Sequence, residues 1–228
     1  MAPYTTDGDV AINPSRLRDD PELAEALRAA GFSADTQHVG TWIMSQPLEG
    51  RPVEVKFDLM VPEAVGGPGR RGARLGIHGN RTARKARGLE ATLVDQQQRT
   101  IHALEEEDDR AFEVAVAGPA ALVVAKLHKI AERIDAPGRR EDKDALDILR
   151  LLQAVPLEVM AGGIRACAEV QISTEVTEEA LSFLRELFSE PSRQGCQMAA
   201  RAAAPLEPED TIAASCAFLT QDRLQAIR

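Results

Sequence analysis

A chain of 228 residues with 44% hydrophobic and 28% charged side chains has an ordinary globular composition and enough material for one large domain or two smaller ones. Its formal net charge of −9 argues against a protein that coats nucleic acid indiscriminately. Cys167, Cys196 and Cys216 lie far apart and are odd in number, which excludes a disulfide framework and a cysteine zinc motif and fits a reducing, cytoplasmic setting; the polar opening argues against a secretion signal, and no apolar run reaches the length of a membrane span.

The first predicted element, TTDGDVAI, reads as a short strand in which Asp7 and Asp9 project the same way, about 7 Å apart at their Cα atoms. Carboxylates so placed repel one another unless a cation sits between them, so two readings stand: a solvated Asp-Gly turn or a divalent-metal site. DDPELAEALRAAGF has the pattern of a helix, with Asp20 as N-cap, Pro21 at the first position, an apolar stripe of Leu23, Ala26, Leu27 and Ala30, and Gly31 just past the end. GTWIMSQ and RPVEVKFDLMVP read as strands, the second alternating Val53, Val55, Phe57 and Leu59 against Glu54, Lys56, Asp58 and Met60. Shorter strands are expected over GLEATLVD, RTIHAL and AFEVAVA.

The character changes at Gly118-Pro119, where GPAALVVAKLHKIAERI takes helical spacing through Leu122, Val123, Leu127, Ile130 and Ile134. Helices are expected over EDKDALDILRLLQAV, LEVMAGGIRACAEV, TEEALSFLRELFSE and TIAASCAFLTQDRLQAI, with VGGPGRRG and SRQGCQMAARAAAPLEPED as loops or linkers. The order predicts an α+β fold, with an α+β domain over residues 1–117 and a helical domain over 118–228. His38, His78, His102 and His128 have no shared ligand spacing and are expected at the surface or in loops.

Asp58 stands in an otherwise apolar strand. By period it shares a face with Glu54 and Lys56, which is the exposed-charge reading; with Asp7 and Asp9 on an adjacent strand it matches the hard oxygen ligands of a two-metal phosphoryl-transfer site. Lys126, Lys129 and Arg133 share one side of their helix, and Lys126 interrupts the apolar tract ALVVAKL, where a lysine is poised to meet an anion. In REDKDALDILRLL, Asp144 and Asp147 lie one turn apart and Lys143 precedes Asp147 by four residues. These acids read either as surface ion pairs or as groups that orient the preceding helix's cations toward a triphosphate.

The ordered set of D-x-D, a later strand Asp, a helical Lys and K-D-x-x-D over residues 4–155 resembles the AbiEii-type nucleotidyltransferases, bacterial members of the DNA polymerase β-like superfamily that often act as the toxin of a toxin–antitoxin pair. The resemblance implies a mixed sheet flanked by helices, a helical C-terminal part, and Mg²⁺-dependent transfer of a nucleoside monophosphate from an NTP to a hydroxyl, with a cognate antitoxin as a partner. It implies that Asp7, Asp9 and Asp58 bind metal, that Lys126 meets the triphosphate with Thr6, Lys129 and Arg133 also on the nucleotide, and that Asp144 or Asp147 completes the site. The sequence departs from the family in one respect: the Gly-Gly or Gly-Ser turn expected some ten residues before the D-x-D is not found ahead of Thr5. That departure keeps a second expectation open, an inactive relative that binds a protein or nucleic acid.

Between Ala64 and Leu89 there is no acidic residue, whereas Arg70, Arg71, Arg74, Arg81, Arg84, Lys85 and Arg87 all fall there. The segment reads either as a solvated loop or as a track for a nucleic-acid backbone such as the acceptor end of a tRNA. With 4% aromatic residues, phosphate contact rather than base stacking would carry that binding.

Overall fold

The computed structural model describes residues 7–48, 51–103, 107–136, 138, 141–204 and 207–227, with Asp7 and Leu48 described by backbone alone. Contacts divide the chain into two compact units, Met1–Leu89 and Glu90–Arg228. The fold is α+β: a mixed sheet in the first unit, and a hairpin with helices in the second.

The sheet of the first unit consists of β1 (Asp7–Ala11), β2 (Ser33–Ala34), β3 (Thr41–Leu48), β4 (Arg51–Pro62) and β5 (Arg84–Ala86), with one helix, α1 (Leu23–Ala29). Its order is β1-β4-β3-β2; β1 and β5 run parallel to β4, and β3 runs antiparallel to it. DGDVA therefore forms a strand rather than a turn. Trp42 and Phe57 are paired across β3 and β4, and Leu59 lies on the same face of β4. Trp42 and Leu59 are buried with Ala24, Val61, Ala73, Leu75 and Ala83, and the indole Nε1 of Trp42 donates to the carbonyl of Thr82 at 3.0 Å.

Several expectations for this unit are corrected. Helix α1 begins at Leu23 rather than Pro21, with Glu22 in the cap position, and the Leu23 amide donates to Nδ1 of His78 at 3.0 Å. His78 is thus a buried capping group rather than a loop residue. The alternation read into β4 does not appear in its burial: Val53 and Val55 are exposed, while Leu59, Met60, Val61 and Pro62 are all buried. GLEATLVD is not a strand, since Leu89–Leu93 forms a 3₁₀ helix.

The second unit opens with the antiparallel hairpin of β6 (Gln96–His102) and β7 (Ala111–Ala117), followed by α2 (Pro119–Arg133), α3 (Asp142–Ala154), α4 (Leu157–Glu169), α5 (Gln171–Phe188), α6 (Gln194–Ala203) and α7 (Glu209–Ile227). One core runs through all six helices. The buried side of α2 is Ala120, Ala121, Val123, Val124, Leu127 and Ile130, which turns Leu122 outward from its expected place in the stripe. His128 is buried, its Nε2 lying 2.8 Å from the carbonyl oxygen of Val176 and its ring edge-on to Phe183. The stretch expected to be a linker contains α6, whose Cys196, Met198, Ala199, Ala200 and Ala203 are buried. Small side chains let this helix pack closely, and alanine is the best helix former, so a sequence that looks like low-complexity linker folds into the core.

The boundary between units precedes the change in sequence character because Asp95 ties the base of the hairpin to α2. Its backbone carbonyl accepts from Gly118 at 2.8 Å, and its carboxylate accepts from the Ala121 amide at 3.0 Å, capping the helix. A Cβ on Gly118 would lie 2.0 Å from Oδ1 of Asp95, so the cap requires glycine there. Gly118→Ala is expected to cost roughly 1–2 kcal/mol by expelling the capping carboxylate, and to cost much less in an Asp95→Ala background. Urea unfolding of the four proteins measures this coupling; additive losses would show that the two residues act independently.

Candidate functional site

The acids of the sheet are placed by the parallel register of β1 with β4, which sets Asp9 beside Asp58 and Asp7 beside Lys56. Residues paired across strands project to the same face, so Asp9 and Asp58 stand together on the face opposite Trp42 and Leu59. Gly8 between the acids has a physical reason: it pairs with Phe57, and a Cβ there would lie 3.2 Å from the ring. Asp7 occupies the expected strand position, but its side chain lies outside the described residues, as Thr6 does entirely. Among the described residues no group of three or more His, Cys, Asp or Glu side chains is arranged to hold a metal ion.

Asp58 is held from two sides. Thr41, its partner on β3, donates its hydroxyl to Oδ1 at 2.7 Å, and Nη2 of Arg84 donates to Oδ2 at 3.2 Å. The Arg84 and Asp58 side chains keep 37% and 24% of their surface in solvent, so this pair contributes only about 0.2–1 kcal/mol and is exchangeable. The backbone beneath it is fixed. Gly40 adopts φ 84°, and a Cβ there would come within 2.6 Å of both the Arg84 nitrogen and the Leu59 oxygen. Thr41 was not among the residues singled out from the sequence, although folding GTWIMSQ back on VEVKFDLMVP as a hairpin would have set it opposite Asp58.

As a donor set, Asp9 and Asp58 fit Mg²⁺, which takes hard oxygens and is commonly held by one or two carboxylates, with water and substrate phosphate completing its shell. The guanidinium already on Asp58 marks a position where a cation is electrostatically welcome.

The second group lies on α2 and α3. Lys126 donates to Oδ2 of Asp147 at 2.8 Å and stands 3.8 Å from Asp144. Lys129 donates to Oδ1 of Asp144 at 2.9 Å, and Arg133 donates to Glu141 at 3.0 Å. The Asp144 side chain is 3% exposed, so it is not a member of a surface ion pair; Lys129, Lys126 and Arg133 surround it and offset its desolvation. Lys143 does not pair with Asp147 in the expected way: it lies 3.5 Å from Glu141, while Asp147 takes Lys126 and Arg150. Burial works to raise the pKa of Glu141, but Lys129, Lys143 and Arg133 outweigh it and hold the carboxyl below its ordinary value.

The basic segment is largely a folded element. Ala73 donates to Ala83, Arg74 to Gly66 and Lys85 to Arg71 through their backbones, and Ala73 and Ala83 are fully buried. The Lys85 ammonium donates to the carbonyls of Gly67, at 2.9 Å, and Gly69, and Arg81 donates to Thr36 at 3.2 Å. Arg70, Arg71 and Arg74 are exposed. No helix among the described residues is long and apolar enough to cross a membrane. The cysteines are buried and free; burial, and then the charge of Asp95, pushes the Cys167 thiol up to about 11, which makes it a core group. Comparison of the chain with protein-family models, curated proteins and solved structures finds no match.

Lys129→Met, which strips the nearest cation from buried Asp144, is expected to lower stability by about 1–3 kcal/mol, whereas Lys143→Met at an exposed position stays within about 0.5 kcal/mol. Urea midpoints compare them, and equal losses would remove Asp144 from the centre of the network. The depressed pKa of Glu141 means that the unfolded chain binds the proton more readily, so its contribution is present above the ordinary glutamate pKa and disappears as pH falls through the folded value. Glu141→Gln should therefore flatten the acid side of a stability-versus-pH curve and leave its neutral side parallel to wild type.

Proposed function

We propose that this chain is a Mg²⁺-dependent nucleotidyltransferase of the AbiEii type, which transfers a nucleoside monophosphate from an NTP to a hydroxyl acceptor, RNA being the acceptor most consistent with its exposed arginines. The observation that carries the reading is the register of β1 with β4, which sets the second acid of the D-x-D beside the later strand acid on one sheet face. In this reading Asp9 and Asp58 hold the metal, joined by Asp7. Bound Mg²⁺ supplies charge neutralisation for the triphosphate and its leaving pyrophosphate. The acceptor oxygen forms a bond to the α-phosphorus as the bond to pyrophosphate breaks, and Asp58 on the acceptor side receives the hydroxyl proton. The resemblance assigns a triphosphate contact to a helical lysine, and in this chain Lys126 donates to Asp147 within its own unit. Lys129 and Arg133 lie on the same helix, and Asp144 holds them in place.

A second reading, a non-catalytic relative that binds a partner such as a cognate antitoxin, draws support from one specific contact, the Arg84 guanidinium on Asp58. An acid neutralised by its own chain can persist as a structural group after catalysis is lost.

The two readings separate in a transfer assay with each α-labelled NTP, Mg²⁺, and total RNA or total protein as acceptor. Wild type should label one of these pools, and Asp9→Asn should reduce labelling by at least about a hundredfold with an unchanged circular dichroism spectrum, since Asp9 is exposed. Labelling that survives in the Asn variant removes Asp9 from the metal site, and no labelling from wild type with any NTP favours the binding module.

A further inference from the structure

We infer that Arg84 and the divalent cation compete for Asp58, and that the guanidinium released by metal entry becomes a contact for the substrate's phosphates. The inference rests on the reading of Asp9 and Asp58 as a metal site and assigns a role to a residue which that reading leaves unused.

Its basis is geometric. Arg84 Nη2 lies 3.2 Å from Asp58 Oδ2, on the face that also carries Asp9. With Thr41 already on Oδ1, a metal taking Oδ2 of Asp58 meets Arg84 there. The two cations cannot both sit on that oxygen at full charge without repelling one another. The backbone of Arg84 cannot withdraw, because it is paired with Met60 on β4, bridged to Gly72 and pressed against Gly40. Only the side chain can move, and it is 37% exposed, so it has a path outward. A guanidinium swung off Asp58 from a fixed backbone stays beside the metal, where substrate phosphate oxygens complete the shell, and its planar fork suits them. The exchange also keeps local charge balanced: the guanidinium offsets Asp58 before loading, while metal and guanidinium together meet the more highly charged triphosphate afterwards.

A merely structural arginine would weaken every ligand when removed, whereas a competing one gives changes of opposite sign. Mn²⁺ binding is measured by calorimetry on the full chain for wild type, Arg84→Met and Asp58→Asn, and inorganic triphosphate binding is measured in excess Mn²⁺. The triphosphate probe makes the result independent of which base the enzyme prefers. Arg84→Met is expected to bind Mn²⁺ roughly two- to fivefold more tightly, as release of an exposed ion pair allows, and to bind triphosphate about three- to tenfold more weakly. Arg84→Lys retains the charge and should fall between the two, which keeps the test open if the methionine variant fails to fold. Unchanged or weaker Mn²⁺ binding in Arg84→Met, or unchanged triphosphate binding, overturns the exchange while Asp58-dependent Mn²⁺ binding in wild type leaves the metal site standing. No Asp58-dependent Mn²⁺ binding in any of the proteins overturns both.

Discussion

Strand β4 is the constraint on which the first unit depends. Its twelve residues are hydrogen-bonded to β3 along most of one edge and to β1 along the other, and its last residues take β5. Because side chains alternate, a slip of one residue between β1 and β4 would turn Asp9 to the face of Trp42 and bring Gly8 and Val10 to the face of Asp58. Such a slip would replace Gly8 with a residue that has a side chain against the Phe57 ring, where even a Cβ would lie 3.2 Å away, and this opposes it. The hydrophobic core on one face thus fixes the meeting of acids on the other, and the site inherits its precision from packing that it does not touch.

The two charged groups of the protein differ in what solvent allows them to do. Asp144 is 3% exposed with cations around it, an arrangement that is costly to disturb because any unpaired charge would remain in a low-dielectric setting. Asp58 is 24% exposed and faces one guanidinium, so its partner can be exchanged for another cation at small cost. Similar residue types in similar pairs therefore act as a fixed tie between α2 and α3 in one unit and as a replaceable contact in the other. Lys126, at 27% exposure between Asp147 and Asp144, is intermediate: it is anchored, yet keeps part of its side chain in solvent.

Elements with a strong local period were readable in the sequence. AFEVAVA is β7, RPVEVKFDLMVP is β4, and PAALVVAKLHKIAER is α2, each bounded by the glycine and proline punctuation that marked it. The acids of β1 and Asp58 were readable as carboxylates on adjacent strands, but the parallel register that sets Asp9 beside Asp58 was not, because a parallel pairing is set by a long crossover with no local signature. His78 and His128 escaped for the same reason, since each satisfies a backbone group far along the chain, at Leu23 and Val176. Helix α6 was hidden by its composition: alanine and glycine next to polar residues resemble a linker until neighbouring helices cover them. The inner end of β4 lost its alternation because Met60 and Pro62 are buried along with Leu59 and Val61, on a stretch whose far edge takes β5.

The basic segment shows why residue type alone does not define a binding surface. Lys85 closes the glycine-rich loop on itself through two carbonyls, Arg81 ties down the stretch before β3, and Arg84 neutralises Asp58, so each is engaged before any ligand arrives. Removing the whole cluster would strip the loop of these ties and alter the acid site along with any affinity for a phosphate backbone. Arg70, Arg71 and Arg74, exposed on the same segment, are the positions where charge can be changed with the least effect on that scaffold. Of these, Arg74 also packs its Cβ against Gly67, 2.9 Å from where a side chain there would begin, which leaves Arg70 and Arg71 as the cleanest positions at which to test for a phosphate-backbone contact. A salt-dependent loss of RNA affinity on changing that pair would carry a meaning that the same loss at Arg84 or Lys85 would not.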